Sequence, residues 1–489
     1  MVKKGIYALL LILLSWTGEV LASVETEQPF EFDFGFIASK HKTITGETRI
    51  TALGPLFEYV SSTNGTLYWG IRPFYSHLKQ PEKKKKRSFY LWPLGSSTKY
   101  MNELKWRFLL AYGRIGSPST RITPAYRFSI FPFYWQSRDK NNKLAVALFP
   151  IGGKIQNFIF WDEVTFALFP LWIRWQSQDI VSQNVLWPLI TVTDSKDDDY
   201  IDRKRFLPFY SVSKKEGFFY KKSVMWPIWT WARYYGKAEG YIYMIWPLYA
   251  RINRVGQKGW MFLPPFFRFQ RGDATRIYFP WPFIQYSRSK YMKKLYLWPL
   301  WGKREVGPLM NQFFLWPLIW DRTIEFDHQL VRGFQFIPFL IFDRIIEKNK
   351  DGTLGKITRR HAKLWPLISY QRRGTMRRTR MLELWPFRED LGVAQSWAPL
   401  WTIFSHTVDT RSGYDTELLW GLYRQQRKGT HRRYNALFPL YSYERDDTIN
   451  EGKKEWAFLK GLIGYKREHG IRRYRLLWFI TFGGKRETN

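Results

Sequence analysis

A four-residue motif, Leu-Trp-Pro-Leu, recurs along the whole chain and limits what the chain can fold into. The motif stands unaltered at residues 297–300, 315–318 and 364–367, and variants with Phe in place of Trp stand at residues 168–171 and 437–440. Counted by the residue in the proline slot there are 23 such units, 19 of which keep Pro, and most lie 17 to 22 residues apart. Repetition at so short a period indicates an array of one structural unit rather than several unrelated domains.

The residues around each motif alternate with a period of two. Around Pro208, an extended chain would place Phe206 and Tyr210 on one side and Phe209 and Ser211 on the other. The same reading at other units repeatedly gives Tyr, Trp or Ile two positions after the proline, and Ser, Thr or Ala three positions after it. A period of two is typical of β-strands and does not fit a helix. Enrichment in aromatic and β-branched residues agrees with strands.

Polar turn signals separate the motifs and set the expected topology. Examples are Gly-Lys-Ala-Glu-Gly at residues 236–240 and Arg-Ser-Gly at residues 411–413, both typical of turns. We therefore predict one strand of about ten residues per unit and connections of about eight residues, too short for a crossover helix, so that neighbouring strands pair antiparallel. With the alternating segment 30–36 as an initial strand, about 24 strands are expected.

So many antiparallel strands leave two exposed sheet edges, and closure into a barrel removes both. The predicted fold class is all-β, a large antiparallel up-and-down β-barrel of about 24 strands built from repeats of about 19 residues, with strands long enough for an outer-membrane barrel. Two features oppose this: a proline in mid-strand removes a ladder hydrogen bond, and Trp298 and Leu297 make both faces apolar at the motif centre. The alternative places Trp-Pro at a bend and gives an elongated β-repeat array or sandwich.

Residues 1–22 have the pattern of a secretory signal peptide. Lys3 and Lys4 form a basic start, residues 6–16 form a short apolar run, and residues 20–22 (Val-Leu-Ala) suit cleavage. Residues 23–489 are then predicted to form a single repeat-built β domain. No later run approaches the roughly 18 apolar residues of a spanning helix, so we expect any crossing of a membrane to be made by strands.

The chain is strongly basic, with 77 Lys and Arg against 41 Asp and Glu and a formal net charge of +36. Such a surplus favours anionic partners. For an exported chain we expect these to be outer-membrane lipid and lipopolysaccharide, or an anionic polysaccharide or solute, and we do not expect nucleic acid. The basic run at residues 82–87 is interpreted as a solvated hairpin tip rather than a lipid contact.

No pattern in the chain points to catalysis, a cofactor or a metal. The absence of cysteine excludes disulfides, thiolate zinc sites and iron–sulfur clusters, and no zinc-protease, nucleophile-elbow or phosphate-loop motif is present. Residues 347–352 begin like a calcium loop, but Thr358 stands where a carboxylate is needed, so a solvated Asp-Gly turn is preferred. Residues 197–199 (Asp-Asp-Asp) are read as a polar loop. The scattered histidines are His41, His77, His328, His361, His406, His431 and His469.

Residues 475–482, Arg-Leu-Leu-Trp-Phe-Ile-Thr-Phe, resemble the aromatic-terminated last strand of bacterial outer-membrane β-barrel proteins, although seven residues follow here. The leader and the strand rhythm extend this resemblance to the class as a whole. The resemblance implies an integral outer-membrane protein without enzymatic activity, acting as a pore, conduit or scaffold for anionic solutes or polymers. The alternative function is that of a secreted or periplasmic β-repeat protein that binds glycan or the cell-envelope surface.

Overall fold

The protein is one antiparallel meander, in which each strand pairs with the strand before it and the strand after it. A computed structural model describes residues 31–116, 126–138, 143–195, 201–448 and 452–484. These residues form 46 strands in a single sheet, most of them five to seven residues long.

The first sixteen strands are β1 (Phe32–Asp33), β2 (Ala38–Lys42), β3 (Thr48–Ala52), β4 (Phe57–Ser61), β5 (Leu67–Ile71), β6 (Tyr75–Gln80), β7 (Lys85–Tyr90), β8 (Gly95–Tyr100), β9 (Glu103–Phe108), β10 (Ala111–Ile115), β11 (Tyr126–Ile130), β12 (Tyr134–Arg138), β13 (Leu144–Leu148), β14 (Gly152–Phe158), β15 (Trp161–Ala167) and β16 (Trp172–Ser177). The next sixteen are β17 (Ile180–Val185), β18 (Ile190–Ser195), β19 (Ile201–Phe206), β20 (Tyr210–Lys215), β21 (Phe219–Val224), β22 (Trp229–Tyr234), β23 (Gly240–Ile245), β24 (Tyr249–Arg254), β25 (Gln257–Phe262), β26 (Phe267–Gly272), β27 (Ala274–Tyr278), β28 (Ile284–Ser289), β29 (Met292–Leu297), β30 (Trp301–Val306), β31 (Leu309–Phe314) and β32 (Ile319–Glu325). The last fourteen are β33 (Gln329–Phe336), β34 (Leu340–Lys348), β35 (Leu354–Leu364), β36 (Ile368–Arg373), β37 (Met376–Met381), β38 (Phe404–Asp409), β39 (Gly413–Leu418), β40 (Tyr423–Lys428), β41 (Arg432–Leu437), β42 (Tyr441–Asp446), β43 (Lys453–Phe458), β44 (Ile463–Glu468), β45 (Ile471–Leu476) and β46 (Ile480–Phe482).

Among the described residues, helical structure is confined to a few short pieces. Two short helices, α1 (Leu391–Ser396) and α2 (Ala398–Trp401), lie between β37 and β38, and three single 3₁₀ turns occupy Gly236–Ala238, Leu419–Gly421 and Leu459–Gly461. Within the described ranges, no helix has the length and apolar character required to cross a bilayer.

The repeated motif forms the turns of the meander. In residues 186–189 the amide of Leu189 donates to the carbonyl of Leu186 at 2.8 Å, and the third residue, Pro188, follows a cis peptide bond, which is the arrangement of a type VI turn. The amide of Trp187 donates to the carbonyl of Pro170 in the preceding apolar turn at 2.9 Å. The carbonyl of the proline therefore accepts a hydrogen bond from the next apolar turn. The proline itself, which has no amide hydrogen, stands at a position where the sheet needs no donor.

The two edges of the meander differ in chemistry because successive turns fall on opposite edges. From β3 onward the odd-numbered strands end in mostly apolar turns, from residues 53–56 to residues 477–479; we call this edge the apolar rim. The even-numbered strands end in mostly polar turns, from residues 43–47 to residues 469–470; we call this edge the polar rim. Aromatic rings pack against one another along the apolar rim, as Trp298 and Trp316 do with centroids 5.6 Å apart and planes tilted by 50°.

These turns correct the predicted strand count. Each unit is a hairpin of two short strands with the motif at its bend, so that the sheet has 46 strands rather than about 24, and strands of about ten residues were a wrong prediction. The alternation of side chains continues with the same period on both sides of a tight turn, which is why one long strand and two short ones look alike in sequence. The all-β, antiparallel, up-and-down part of the prediction is confirmed.

The sheet has an inner and an outer face, defined by cross-strand register. The inner face carries Arg49 on β3 and its register partners along the sheet. Many of its side chains are small and polar, and a buried apolar cluster that includes Phe166 and Ile173 also lies on it. Ser182 and Thr193, for example, are buried there and share a hydrogen bond of 2.8 Å. The outer face carries large apolar side chains near the apolar rim, such as Phe342 and Leu297. The Ser, Thr or Ala that recurs three positions after a proline, such as Ser76 or Ala250, thus lines the inner face.

The sheet curls until its two ends meet, inner face against inner face. β1 lies against β41, β2 against β40 and β3 against β39, in reverse order, through side-chain contacts that we call the seam. Among the described residues no hydrogen-bonded strand pair joins β1 to β46, and the sheet is not closed into a barrel.

Three further expectations differ from the structure. Residues 344–361, predicted as the longest connection, belong mainly to β34 and β35, which are the two longest strands and enclose a tight turn at residues 349–353. Residues 475–482, predicted as one final strand, bend at residues 477–479, and the predicted initial strand keeps only Phe32–Asp33. The predicted signal peptide at residues 1–22 and the acidic loop at residues 197–199 lie outside the described residues.

Candidate functional site

The inner face is strongly basic along the middle of the chain. From β19 to β32 the register places ten basic and no acidic residues on this face. We call them the basic stripe, and they are Arg203, Arg205, Lys215, Lys221, Arg254, Arg268, Arg276, Lys294, Arg304 and Arg322. A face with one sign of charge attracts counter-ions of the other sign.

Some positions in the stripe place like charges side by side. Lys294 and Arg304 are direct cross-strand partners, and directly opposed like charges destabilise a sheet. Their neighbours on the outer face, Lys293 and Lys303, instead both contact the carboxylate of Glu305, at 3.9 and 2.8 Å. One carboxylate therefore offsets part of the charge on the outer side of these strands, whereas among the described residues no carboxylate lies beside the pair on the inner side.

The connection between β37 and β38, residues 382–403, lies on the inner face of the strands that follow the stripe. The buried ammonium group of Lys363 on β35 donates to the carbonyls of Trp385 and Phe387, at 2.9 Å each. Arg388 forms a two-fold hydrogen bond with the carboxylate of Asp343 on β34, both contacts at 2.9 Å. The connection is thus fixed on the inner face by charged groups as well as by packing.

A cavity of about 360 Å³ lies between this connection and strands β32 to β36. Its inner-face lining includes Arg322, Arg359, Arg373 and His361, whose Nε2 is buried without a hydrogen-bond partner among the described residues. Arg359 and Arg373 are direct cross-strand partners. The cavity therefore presents several donors and an excess of positive charge, which suits an anion and not a cation.

The charged groups of the connection remain ionised. Burial acts to raise the pKa of the Glu389 carboxyl, but the charge of Arg380 and the hydrogen bond from Gln371 outweigh it and hold that pKa below its usual range. Hydrogen bonds to Asp343 raise the pKa of the Arg388 guanidinium. Both groups keep the connection attached to the inner face through charge-assisted hydrogen bonds, which are stronger than neutral ones.

The seam contains a buried network of charged residues. Arg49 donates to Glu58 on the neighbouring strand at 2.7 Å and to Glu417 on β39 at 2.8 Å. Arg424 on β40 contacts Asp33 at 3.4 Å and the imidazole of His41 at 3.1 Å. Carboxylates on the inner face are thus concentrated where the two ends meet, and the stripe between them has none.

Sequence reasoning predicted no catalytic, cofactor or metal residues, and it missed the basic stripe, the cavity and the seam. Within the described part of the chain no group of three or more His, Asp or Glu is placed to hold a metal. In the segment that begins like a calcium loop, the Asp351 carboxylate accepts from the amide and hydroxyl of Thr353, at 3.0 and 2.7 Å. Of the run at residues 82–87, Lys85, Lys86 and Arg87 belong to β7 rather than to a loop.

Comparison with known protein families finds no matching family model, and comparison with curated proteins finds no match.

Proposed function

We propose that this is a non-enzymatic protein of the outer membrane, seated in the bilayer by its apolar rim, whose inner face serves as a pore, conduit or scaffold for anionic solutes or polymers. The observation that carries the proposal is the basic stripe, a face of fourteen successive strands with basic residues and no acidic ones. A protein has little reason to collect charges of one sign on one face unless an anion neutralises them, because like-charge pairs cost stability.

The apolar rim supports the membrane part of the proposal. Leu300 and Leu367 at its turns are 63% and 61% exposed, and similar side chains follow at most turns along the row. A contiguous exposed apolar surface of this kind marks a membrane or partner contact. Burying each such side chain in lipid contributes roughly 1.5–3 kcal/mol, so many turns acting together hold the protein firmly.

The outer face sets the depth of this seating. On many strands the two outward positions nearest the apolar rim are apolar and the next is basic, as in Leu297, Leu295 and Lys293 on β29. Four or five residues of strand and turn span about 15 Å, about half of the hydrocarbon thickness of a bilayer. The geometry therefore favours insertion into one leaflet, with the polar rim in water. Of the three proposed roles, this seating supports a conduit or scaffold rather than a pore across the bilayer. The seam supports closure of the meander into a barrel-like ring around the stripe by face-to-face contact.

A second candidate is a secreted or periplasmic β-repeat protein that binds glycan or the envelope surface. Strand length favours it, since strands of mostly five to seven residues are shorter than the roughly 9–11 residues of a spanning strand. Release into the soluble fraction after cell disruption would support this candidate, whereas membrane residence that resists carbonate and urea supports the first.

The role of the stripe can be tested with basic residues that are neighbours in sequence but lie on opposite faces of the sheet. The inner pair, Lys294→Gln with Arg304→Gln, removes two charges of the stripe. The outer pair, Lys293→Gln with Lys303→Gln, removes two charges from the outer face of the same strands. Binding of dextran sulfate by the detergent-solubilised protein at low salt should weaken at least about threefold for the inner pair and change little for the outer pair, because only the inner charges face the polymer. Equal effects of the two pairs would contradict the proposed role.

A further inference from the structure

Five arginines form an unbroken row across the outer face of β33 to β37. Arg332 pairs with Arg344, Arg344 with Arg360, Arg360 with Arg372, and Arg372 with Arg377, each as a direct cross-strand partner. The row ends at Thr323 on one side and Val408 on the other, so no acidic residue belongs to it. Five like charges in line cost stability on a bare sheet.

Nothing within the row neutralises the positive charge of its arginines. The guanidinium groups of Arg344 and Arg360 lie over the ring of Phe342, at 5.7 and 5.0 Å from its centroid, which fixes their position without neutralising them. The buried Nε of Arg344 has no hydrogen-bond partner among the described residues. Guanidinium forks suit phosphate oxygens particularly well, since both can make two parallel hydrogen bonds.

The position of the row fits the headgroup region of a bilayer. Between the row and the apolar rim each of the five strands places two further residues outward, and these are mostly apolar, as Phe334 and Phe336 are on β33. The row therefore lies about 15 Å from the rim turns, near the depth at which lipid phosphates lie if the rim reaches the bilayer centre. Four strand spacings give it a length of about 19 Å, enough for more than one phosphate of a single lipid.

We propose that this row is a binding site for the phosphate groups of an anionic glycolipid that carries two phosphates, of the lipid A type. The proposal rests on the seating of the apolar rim in a bilayer. It does not depend on the basic stripe, which lies on the opposite face. Bound phosphates neutralise the row and anchor the protein laterally in the leaflet.

The test compares two triple variants of the full chain in detergent. The row variant removes the three central arginines, with Arg344→Gln, Arg360→Gln and Arg372→Gln. The matched control removes three outer arginines that have no basic cross-strand partner, and these are Arg174→Gln, Arg233→Gln and Arg251→Gln. The probe is diphosphoryl lipid A, measured by native mass spectrometry or thermophoresis, with the dephosphorylated lipid and inorganic pyrophosphate as separate arms.

We expect the row variant to bind diphosphoryl lipid A at least about tenfold more weakly and the control to stay within about twofold of the original protein. The dephosphorylated lipid should bind weakly, and pyrophosphate should not displace the glycolipid. The row variant should also melt no lower than the original protein, because repulsion within the row is relieved. Equal losses in both variants, or equal binding of the dephosphorylated lipid, would overturn the inference. If lipid binding fails while the rim still inserts into vesicles, only the row is refuted and the proposed seating stands.

Discussion

Arg49 holds together two strands that lie at opposite ends of the chain. It bridges the carboxylates of Glu58 and Glu417, whose side chains are only 12% and 17% exposed. Glu58 also pairs with the buried guanidinium of Arg72. Buried ion pairs of this kind are costly to break, because removal of one partner leaves the other charge buried and uncompensated.

We therefore predict that Arg49→Gln destabilises the protein by about 3–5 kcal/mol, because Glu58 and Glu417 would face each other without the charge between them. The control is Arg445→Gln, which breaks an exposed pair with Asp447 and should leave the unfolding midpoint almost unchanged, because exposed ion pairs contribute little to stability. Guanidinium unfolding followed by tryptophan fluorescence measures both effects. Equal shifts of the two midpoints would contradict the structural role of the seam.

No sequence pattern could have revealed this network. Arg49 and Glu417 are separated by almost the whole chain, and the alternation of side chains says which face a residue occupies but not which distant strand it meets. The basic surplus of the composition was visible in sequence. Its separation into a purely basic stripe and a mixed seam depends on the register of 46 strands, which only the structure supplies.

At the scale of the element, the hairpin unit explains the repeat. The motif closes a turn, neighbouring turns are hydrogen-bonded to one another, and their rings pack together, as those of Phe149 and Phe169 do with centroids 5.1 Å apart. The sequence predicted the strand type and the period of this unit. It left open whether Trp-Pro lies in mid-strand or at a bend, and the hydrogen bond from Trp187 to the carbonyl of Pro170 decides for the bend.

Strand β29 offers a direct test of the rim. Tyr291, just before the strand, is 72% exposed on the polar rim, and Leu300, just after it, is 63% exposed on the apolar rim. Because the chain has no cysteine, Tyr291→Cys and Leu300→Cys can each carry a single polarity-sensitive dye. In vesicles that contain nitroxide-labelled lipid we expect strong quenching at position 300 and little at position 291, since the proposed seating puts only the apolar rim in the leaflet. Quenching at neither site, or equal quenching at both, would contradict one-leaflet seating.

At the scale of the whole molecule, a single chain of short hairpins forms one sheet with two chemically distinct faces and two chemically distinct edges. The apolar rim and the polar rim differ because antiparallel strands send alternate turns to opposite edges. The inner and outer faces differ because side chains alternate along each strand. The sheet curls so that its ends meet at the seam. This curvature places the basic stripe on the concave side and leaves the apolar rim exposed.

The meeting of the two ends is the central structural claim, and an engineered disulfide tests it most directly. A Cβ atom at Gly54 would lie 3.7 Å from the Cβ of Trp420 in a distant turn, close to the ~3.8 Å mean separation in disulfides. The Gly54→Cys, Trp420→Cys variant should oxidise readily in the folded protein and change its mobility on a non-reducing gel. The control, Gly54→Cys with Trp226→Cys in a turn midway along the chain, should not. Failure of the first pair to cross-link, or equal cross-linking of both, would show that the ends of the sheet do not meet as described.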